Sequence, residues 1–399
     1  MDKQKEIKTD STEETEKKDE KVEFNFSSKS TDNFPKILKA LNISLAVTSY
    51  QSSRLILVRS DGENIDTNLK IFPRPMGVYA SDERITLGTL TEVIEFKKSE
   101  TVLNEIKNGK LDRENNFSRK LLEKEKEQQE KLREQQIKEI EEVKNADALY
   151  LPRASITTGM INIHDIAWGN EGLWVVNSTF SCLSTLSSNN SFIARWKPEF
   201  ITELVPEDRC HLNGMAMKDG KPKYVTTFNK ENSRDSWNKT KIYDGTLIDI
   251  DTNEILLDGM IMPHSPKYYK DHIYVCESGL GVVWKYNIKT KQKTELIKLQ
   301  GFTRGIYIYG GLMFVGTSEI RTSDIENPIP ISKEFEKTFA GIWIINLEDG
   351  SEIGNIIFDG DIDQIYDIAI IPNSINPELL KQNSSLIRNI FDFQQNLAF

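Results

Sequence analysis

A fifteen-residue pattern recurs along this chain and limits what it can become. Residues 164–178 align without gaps on residues 264–278 and on residues 304–318. Each copy reads as a polar residue, a short apolar strand, a tight turn and a second strand ending in Ser. Residues 76–80 and 366–370 fit the first half, and 213–217 fit with one extra turn residue. The copies begin at Met76, His164, Asn213, His264, Arg304 and Tyr366, in steps of 88, 49, 51, 40 and 62 residues. A unit of about 40–50 residues holding several short strands is the signature of a β-propeller, one blade per unit.

The ends of the pattern set the number of blades. Residues 45–50, 54–59 and 68–72 read as three strands that precede the first copy, and residues 366–371 read as an inner strand with nothing to follow it. Pairing the two groups completes a four-stranded blade and removes two open sheet edges. The expected fold is therefore all-β, a six-bladed propeller closed by strands from both ends of the chain. Residues 1–33 are charged and nearly devoid of apolar groups, which predicts a disordered tail before a propeller over 34–375. Residues 98–147 break the pattern and explain the step of 88. Their Glu, Lys and Gln at helical spacing predict a solvated charged helix, with too few apolar positions for a coiled-coil seam. Residues 376–399 form a C-terminal tail compatible with a short amphipathic helix packed on the outside.

Bulk properties narrow the class of partner. A net charge of −10 over 399 residues argues against nucleic acid. No apolar run approaches the roughly 20 residues that span a bilayer, and residues 1–6 lack the apolar core of a signal peptide. Cys182, Cys210 and Cys276 suit free thiols in a reducing compartment, so a cytoplasmic setting is expected. There is no P-loop, GxGxxG or GxSxG motif.

In a propeller the first residue of each inner strand lies at one mouth of the central channel. The repeat alignment therefore gathers Met76, His164, Asn213, His264, Arg304 and Tyr366, followed by Gly77, Asp165, Gly214, Ser265, Gly305 and Asp367. Imidazole, amide and carboxylate groups together suit a divalent metal, with His164, Asn213 and His264 as ligands and Asp165 or Asp367 holding the metal's water. Arg304 would anchor an anionic group of a small organic substrate. Arg209, His211, Tyr366 and Arg321 complete a substrate-binding rim. The leading expectation is metal-assisted hydrolysis or isomerisation at the axis. The alternative is a non-catalytic scaffold that binds a protein partner through rim loops and the charged helix. For Asp165 and Asp367 a blander role is equally open, since a buried Asp at a strand start often caps backbone amides.

Several long phrases carry a resemblance. Val175-Val-Asn-Ser-Thr-Phe-Ser-Cys-Leu183, Trp196-Lys-Pro-Glu-Phe-Ile201, Glu207-Asp-Arg-Cys-His-Leu-Asn-Gly214, Met262-Pro-His-Ser-Pro266 and Phe302-Thr-Arg-Gly305 resemble those of a family of uncharacterised proteins, a domain of unknown function. The resemblance runs from about residue 40 to 375 and implies no established activity. More distantly the chain resembles the gluconolactonase and strictosidine-synthase class of six-bladed propellers. That likeness implies a divalent metal held with the help of an Asn-Gly at an inner-strand start, matched here by Asn213-Gly214. Asp367 lies one position from a second expected site, and Met76 stands where a carboxylate is expected.

Overall fold

A computed structural model describes residues 25–110, 123–239, 244–320 and 329–393. Six small sheets stand around one axis, and the inner strand of each touches the inner strands of both neighbours. Blade 1 is the closure: Asp367–Pro372 lies innermost and pairs antiparallel with Ile43–Ser49, which is followed outward by Arg54–Ser60 and Ile65–Ile71. Blade 2 runs Val78–Ala80, Arg84–Gly88, Glu92–Lys98 and Ala148–Thr157. Blade 3 runs Ile163–Gly169, Gly172–Asn177, Cys182–Thr185 and Ile193–Trp196. Leu212–Lys218 opens blade 4, Pro263–Tyr269 opens blade 5 and Phe302–Tyr309 opens blade 6, each with three further antiparallel strands outside it.

Alternation along the strands sends one set of apolar side chains into each gap between blades. Between blades 6 and 1, Phe314, Ile344 and Ile356 meet Leu45, Val47 and Ile368, all essentially inaccessible to solvent. Between blades 3 and 4, Val176 and Leu183 meet Leu212, Met215 and Val225. The three cysteines are free and buried, as small apolar residues of this packing.

Both ends of the chain reach further into the fold than their composition suggests. Phe26–Ser30, inside the segment expected to be disordered, adds a fifth strand to the outer edge of blade 6 by pairing with residues 356–360. The helix Asn33–Ala40 then buries Phe34 and Leu38 against the same edge. Residues 1–24 lie outside the described residues. At the other end Pro377–Leu379 pairs in parallel with residues 148–150, a fifth strand on blade 2. Glu378, completely buried, meets Arg59 and Lys70 of blade 1 and accepts from Asn68 Nδ2 at 3.1 Å. A single turn of 3₁₀ helix follows at Ser385–Asn389.

The insertion holds two helices. Ser99 caps Glu100–Lys107, accepting from Val102 N at 3.3 Å, and Glu123–Lys144 follows after residues that lie outside the description. Residues 130–135 of the second helix face mainly solvent, as its charges predict. Its last turn does not. Val143 joins Val102, Leu103 and Ile106 against Leu149, Leu151, Leu380 and Leu386. The insertion is thus solvated at its tip and packed at its base, where each buried aliphatic contributes about 1.5–3 kcal/mol.

Candidate functional site

The entry into four inner strands has one backbone form. Arg74, Asn162, His211 and Met262, each two residues before a ring position, have φ of 44°, 50°, 47° and 52°. Non-glycine residues adopt the left-handed region at a cost, so four such turns at one mouth mark a constrained site. The turn swings the carbonyls of Asn162 and Met262 back over the rings of His164 and His264.

Those two histidines have the same surroundings. His164 Nδ1 lies 2.9 Å from Asn162 O and 2.7 Å from Ser178 Oγ. His264 Nδ1 lies 2.9 Å from Met262 O and 2.7 Å from Ser278 Oγ. A carbonyl only accepts, so each neutral ring carries its hydrogen on Nδ1 and keeps the lone pair on Nε2. Each serine hydroxyl in turn donates across the blade boundary, Ser178 to Leu212 O and Ser278 to Thr303 O. Ser318 does the same to Ile365 O at 2.8 Å, which gives the recurring Ser its physical role. Burial pushes both imidazoles well below their ordinary pKa; His211 and the nearby Arg74 and Arg304 add to this at His164, and Arg304 at His264. Both rings are neutral.

Ring contacts run unbroken around the mouth. His164 meets His211 edge-on at 4.6 Å, His211 meets Phe228 at 4.5 Å, and Phe228 meets His264 at 5.1 Å. His264 meets Phe302 at 5.6 Å, Arg304 lies over Phe302 at 4.7 Å and over Tyr366 at 5.6 Å, and Tyr366 returns to His164 at 5.7 Å. Asn213, in the strand between the two equivalent histidines, is buried and its Nδ2 has no hydrogen-bond partner. His211 is held by its loop: Nδ1 lies 2.8 Å from Asp208 Oδ2, and the ring stacks on Trp237 at 4.0 Å.

One residue deeper the polar groups serve the ring itself. Asp165 accepts from Ile166 N at 2.8 Å and from Met215 N of the next blade at 3.0 Å. Asp367 accepts from Ile368 N at 2.9 Å and from Val78 N of blade 2 at 3.0 Å. Ser265 accepts from Gly305 N at 2.9 Å. Glycine alternates with these three because a Cβ on Gly77 would stand 3.1 Å from the Asp165 backbone and one on Gly305 2.9 Å from Asp367 Cα. A bulge in the first strand of blade 5 brings in Lys267, whose Nζ lies 3.7 Å from Asp165 Oδ2. Burial and the neighbouring Asp165 push the Asp367 carboxyl up to about 7.

The six ring positions read from the repeat all arrive at one mouth, and His211 joins them. Asp165 and Asp367 take the backbone-capping role, where sequence also allowed a catalytic one. Arg209 is turned aside: its guanidinium meets Glu207 at 2.9 Å and Asn232 at 2.8 Å. Arg321 lies outside the described residues. Sequence reasoning passed over Arg74, Asp208, Phe228, Trp237, Phe302 and Lys267. A signal for two of them was present, since a strand repeats its facing every second residue. Moving the alignment back by two gives Arg74, Asn162, His211, Met262, Phe302 and Gln364, a second tier at the same mouth.

Fold and mouth together define a six-bladed β-propeller with an aromatic, cation-bearing ring around one end of its axis. Family comparison then places the chain: residues 32–118 and 115–380 match the model of a domain of unknown function, DUF4915, and the protein belongs to that family. Among solved structures, the crystal structure of a nidogen/laminin complex is similar at 9% identity with a TM-score of 0.47, covering 83% of this chain and 98% of that one. No curated protein matches. Among the described residues no helix is long and apolar enough to cross a membrane, and no group of three or more His, Cys, Asp or Glu side chains is placed to hold a metal ion.

Proposed function

We propose that the axial mouth binds a small organic anion. The observation that carries this reading is the circuit of ring contacts closed by the Arg304 guanidinium, which lies over Phe302 and Tyr366, at the mouth where Asn213 keeps a buried amide N–H without a hydrogen-bond partner. Arg304 supplies charge with a planar set of donors suited to a carboxylate or phosphate. Asn213 offers an N–H with no competing partner in the protein, and an unsatisfied buried donor of this kind costs about 1–3 kcal/mol unless a ligand takes it up. Phe228, Phe302, Tyr366 and Trp237 give flat apolar surface for the rest of the molecule. The test is calorimetric titration with a panel of small carboxylates and phosphate esters. A binder is expected whose affinity falls at least tenfold in Arg304→Met and in Asn213→Ala. A panel without binders, or equal binding by Arg304→Met, overturns the reading.

The paired histidines favour a second reading, in which a divalent cation sits on Nε2 of His164 and His264 with Asn213. An imidazole whose Nδ1–H is fixed on a backbone carbonyl is the usual arrangement of a metal-ligating histidine. Such an ion would activate water for hydrolysis or polarise a substrate carbonyl. Elemental analysis of protein purified without chelators or a metal-binding tag tests it. A stoichiometric metal that disappears in the double variant His164→Ala, His264→Ala supports the reading, and metal-free protein ends it.

A further inference from the structure

We propose that Arg74 forms a second anionic subsite at the axial mouth, so that the preferred ligand is a small dicarboxylate held at one end by Arg304 and at the other by Arg74. The idea rests on the anion-binding reading above and narrows it to a class of molecule. Blade 2 is the odd member of the ring. Its ring position is the apolar Met76, and its cation comes two residues earlier.

The backbone places that cation. Pro73 O accepts from Leu90 N at 2.9 Å, Met76 N donates to Gly88 O at 3.0 Å, and Gly77 N donates to Ile163 O of blade 3 at 3.2 Å. From blade 1, Thr48 Oγ1 donates to Met76 O while Thr48 O accepts from Tyr366 N at 2.8 Å. The turn carrying Arg74 is therefore fixed between Tyr366 and the strand of His164. Two residues at the equivalent left-handed position show where such a side chain goes. His211 meets the ring of His164 on the preceding blade, and Met262 packs with Phe302 on the following one. Both lie along the rim. Arg74 has the same turn, and its charge, like that of Arg304, acts on the His164 ring.

Two further features mark Arg74. Its φ is 44°, and it stands between Pro73 and Pro75. A residue before proline has few backbone choices, and a left-handed one suits glycine better than any side chain with a Cβ. Strain of this kind persists where the side chain has a use. Arg74 is also half-buried, yet among the described residues its guanidinium makes no hydrogen bond or ion pair. Arg59 and Arg209, by contrast, are each engaged by carboxylates.

Arg74 belongs to blade 2 and Arg304 to blade 6, with only blade 1 between them. Tyr366 of blade 1 lies under Arg304 at 5.6 Å and meets His164 at 5.7 Å, so an aromatic ring occupies the sector between the two charges. In the proposed complex the aliphatic middle of the dicarboxylate crosses that ring. Each end takes the paired N–H donors of one guanidinium.

Calorimetric titration of the full chain with paired probes tests this. The probes are the linear dicarboxylates from malonate to pimelate, each beside its monomethyl ester, which keeps one carboxylate and nearly the same shape. At least one diacid is expected to bind ten times more tightly than its ester. Arg74→Met should bring that ratio within twofold and leave the ester's affinity within twofold of the wild type. Arg74→Lys should retain part of the ratio, and Arg304→Met should weaken diacid and ester alike. Arg74→Gly removes the side chain and suits the left-handed turn, so it should melt no lower than the wild type and still lose the preference. A wild-type ratio near one, a ratio that survives Arg74→Met, or equal losses of diacid and ester in that variant overturns the proposal. So does an Arg74→Gly chain that melts well below the wild type, since the side chain then serves packing. In each of these cases Arg304-dependent binding of other anions still stands, whereas a chain that binds no anion at all ends both readings.

Discussion

Successive residues of the same inner strands have opposite fates. At the first ring position the His164 and His264 rings and Arg304 join the circuit of ring contacts around the mouth. One position deeper, Asp165, Ser265 and Asp367 are bound to amides of their own and neighbouring blades. The difference teaches that residue type alone does not identify a site. A buried carboxylate with a backbone donor on each oxygen is committed to holding the ring, whereas a buried amide with an idle N–H keeps its capacity for something else.

Breaking the deeper tier should have the largest effect. Asp165→Ala removes the acceptor of Ile166 N and Met215 N and leaves Lys267 without its nearer carboxylate. Uncompensated groups of this kind cost about 3–5 kcal/mol, read as a fall in the urea midpoint. A loss below about 1 kcal/mol would erase the distinction between the tiers.

The next effect is a change of slope. Asp367 is pushed up to about 7, above the roughly 3.9 of an unfolded Asp. The folded state therefore binds its proton more tightly, and stability from this group is present in acid and lost as pH rises from about 4 to 7. Asp367→Asn should flatten that part of the Tm profile. An unchanged profile would mean that Lys267 neutralises both carboxylates.

The smallest effect comes from the upper tier and has the opposite sign. His264 is neutral when folded, so its contribution is present above about 6.5, the unfolded value, and is lost as pH falls below it. His264→Gln should cost about 1 kcal/mol at pH 8 through the lost Nδ1 bond and remove part of the acid sensitivity below pH 6. Equal destabilisation at both pH values would show that folding does not change the proton affinity of this ring.

The blades, their closure and the six ring residues were legible because strand periodicity and repeat spacing survive in the sequence. Three features were not. The strand Phe26–Ser30 is short and polar, and its pairing is decided by an exposed edge 326 or more residues away. The base of the insertion looked solvated because its apolar residues are sparse; their partners, Leu380 and Leu386, come from the far end of the chain. Asp208 and Trp237 lie 29 residues apart and meet at His211 only after the loops of blades 3 and 4 fold together. Arg209, by contrast, was drawn into the site by its phrase, and its nearest carboxylate, Glu207, was two residues away all along.

The two extra edge strands have a consequence for how the ring comes apart. Blade 1 already joins an N-terminal group of strands to a C-terminal one. Phe26–Ser30 then clasps the blade on one side of it and Pro377–Leu379 the blade on the other, with Glu378 tied back to Arg59 and Lys70. Three adjacent blades are thus buckled together where a ring is ordinarily weakest. Opening should begin on the opposite arc, and blade 3, whose outermost strand is the four largely exposed residues Ile193–Trp196, is the place where amide exchange and protease nicking should start.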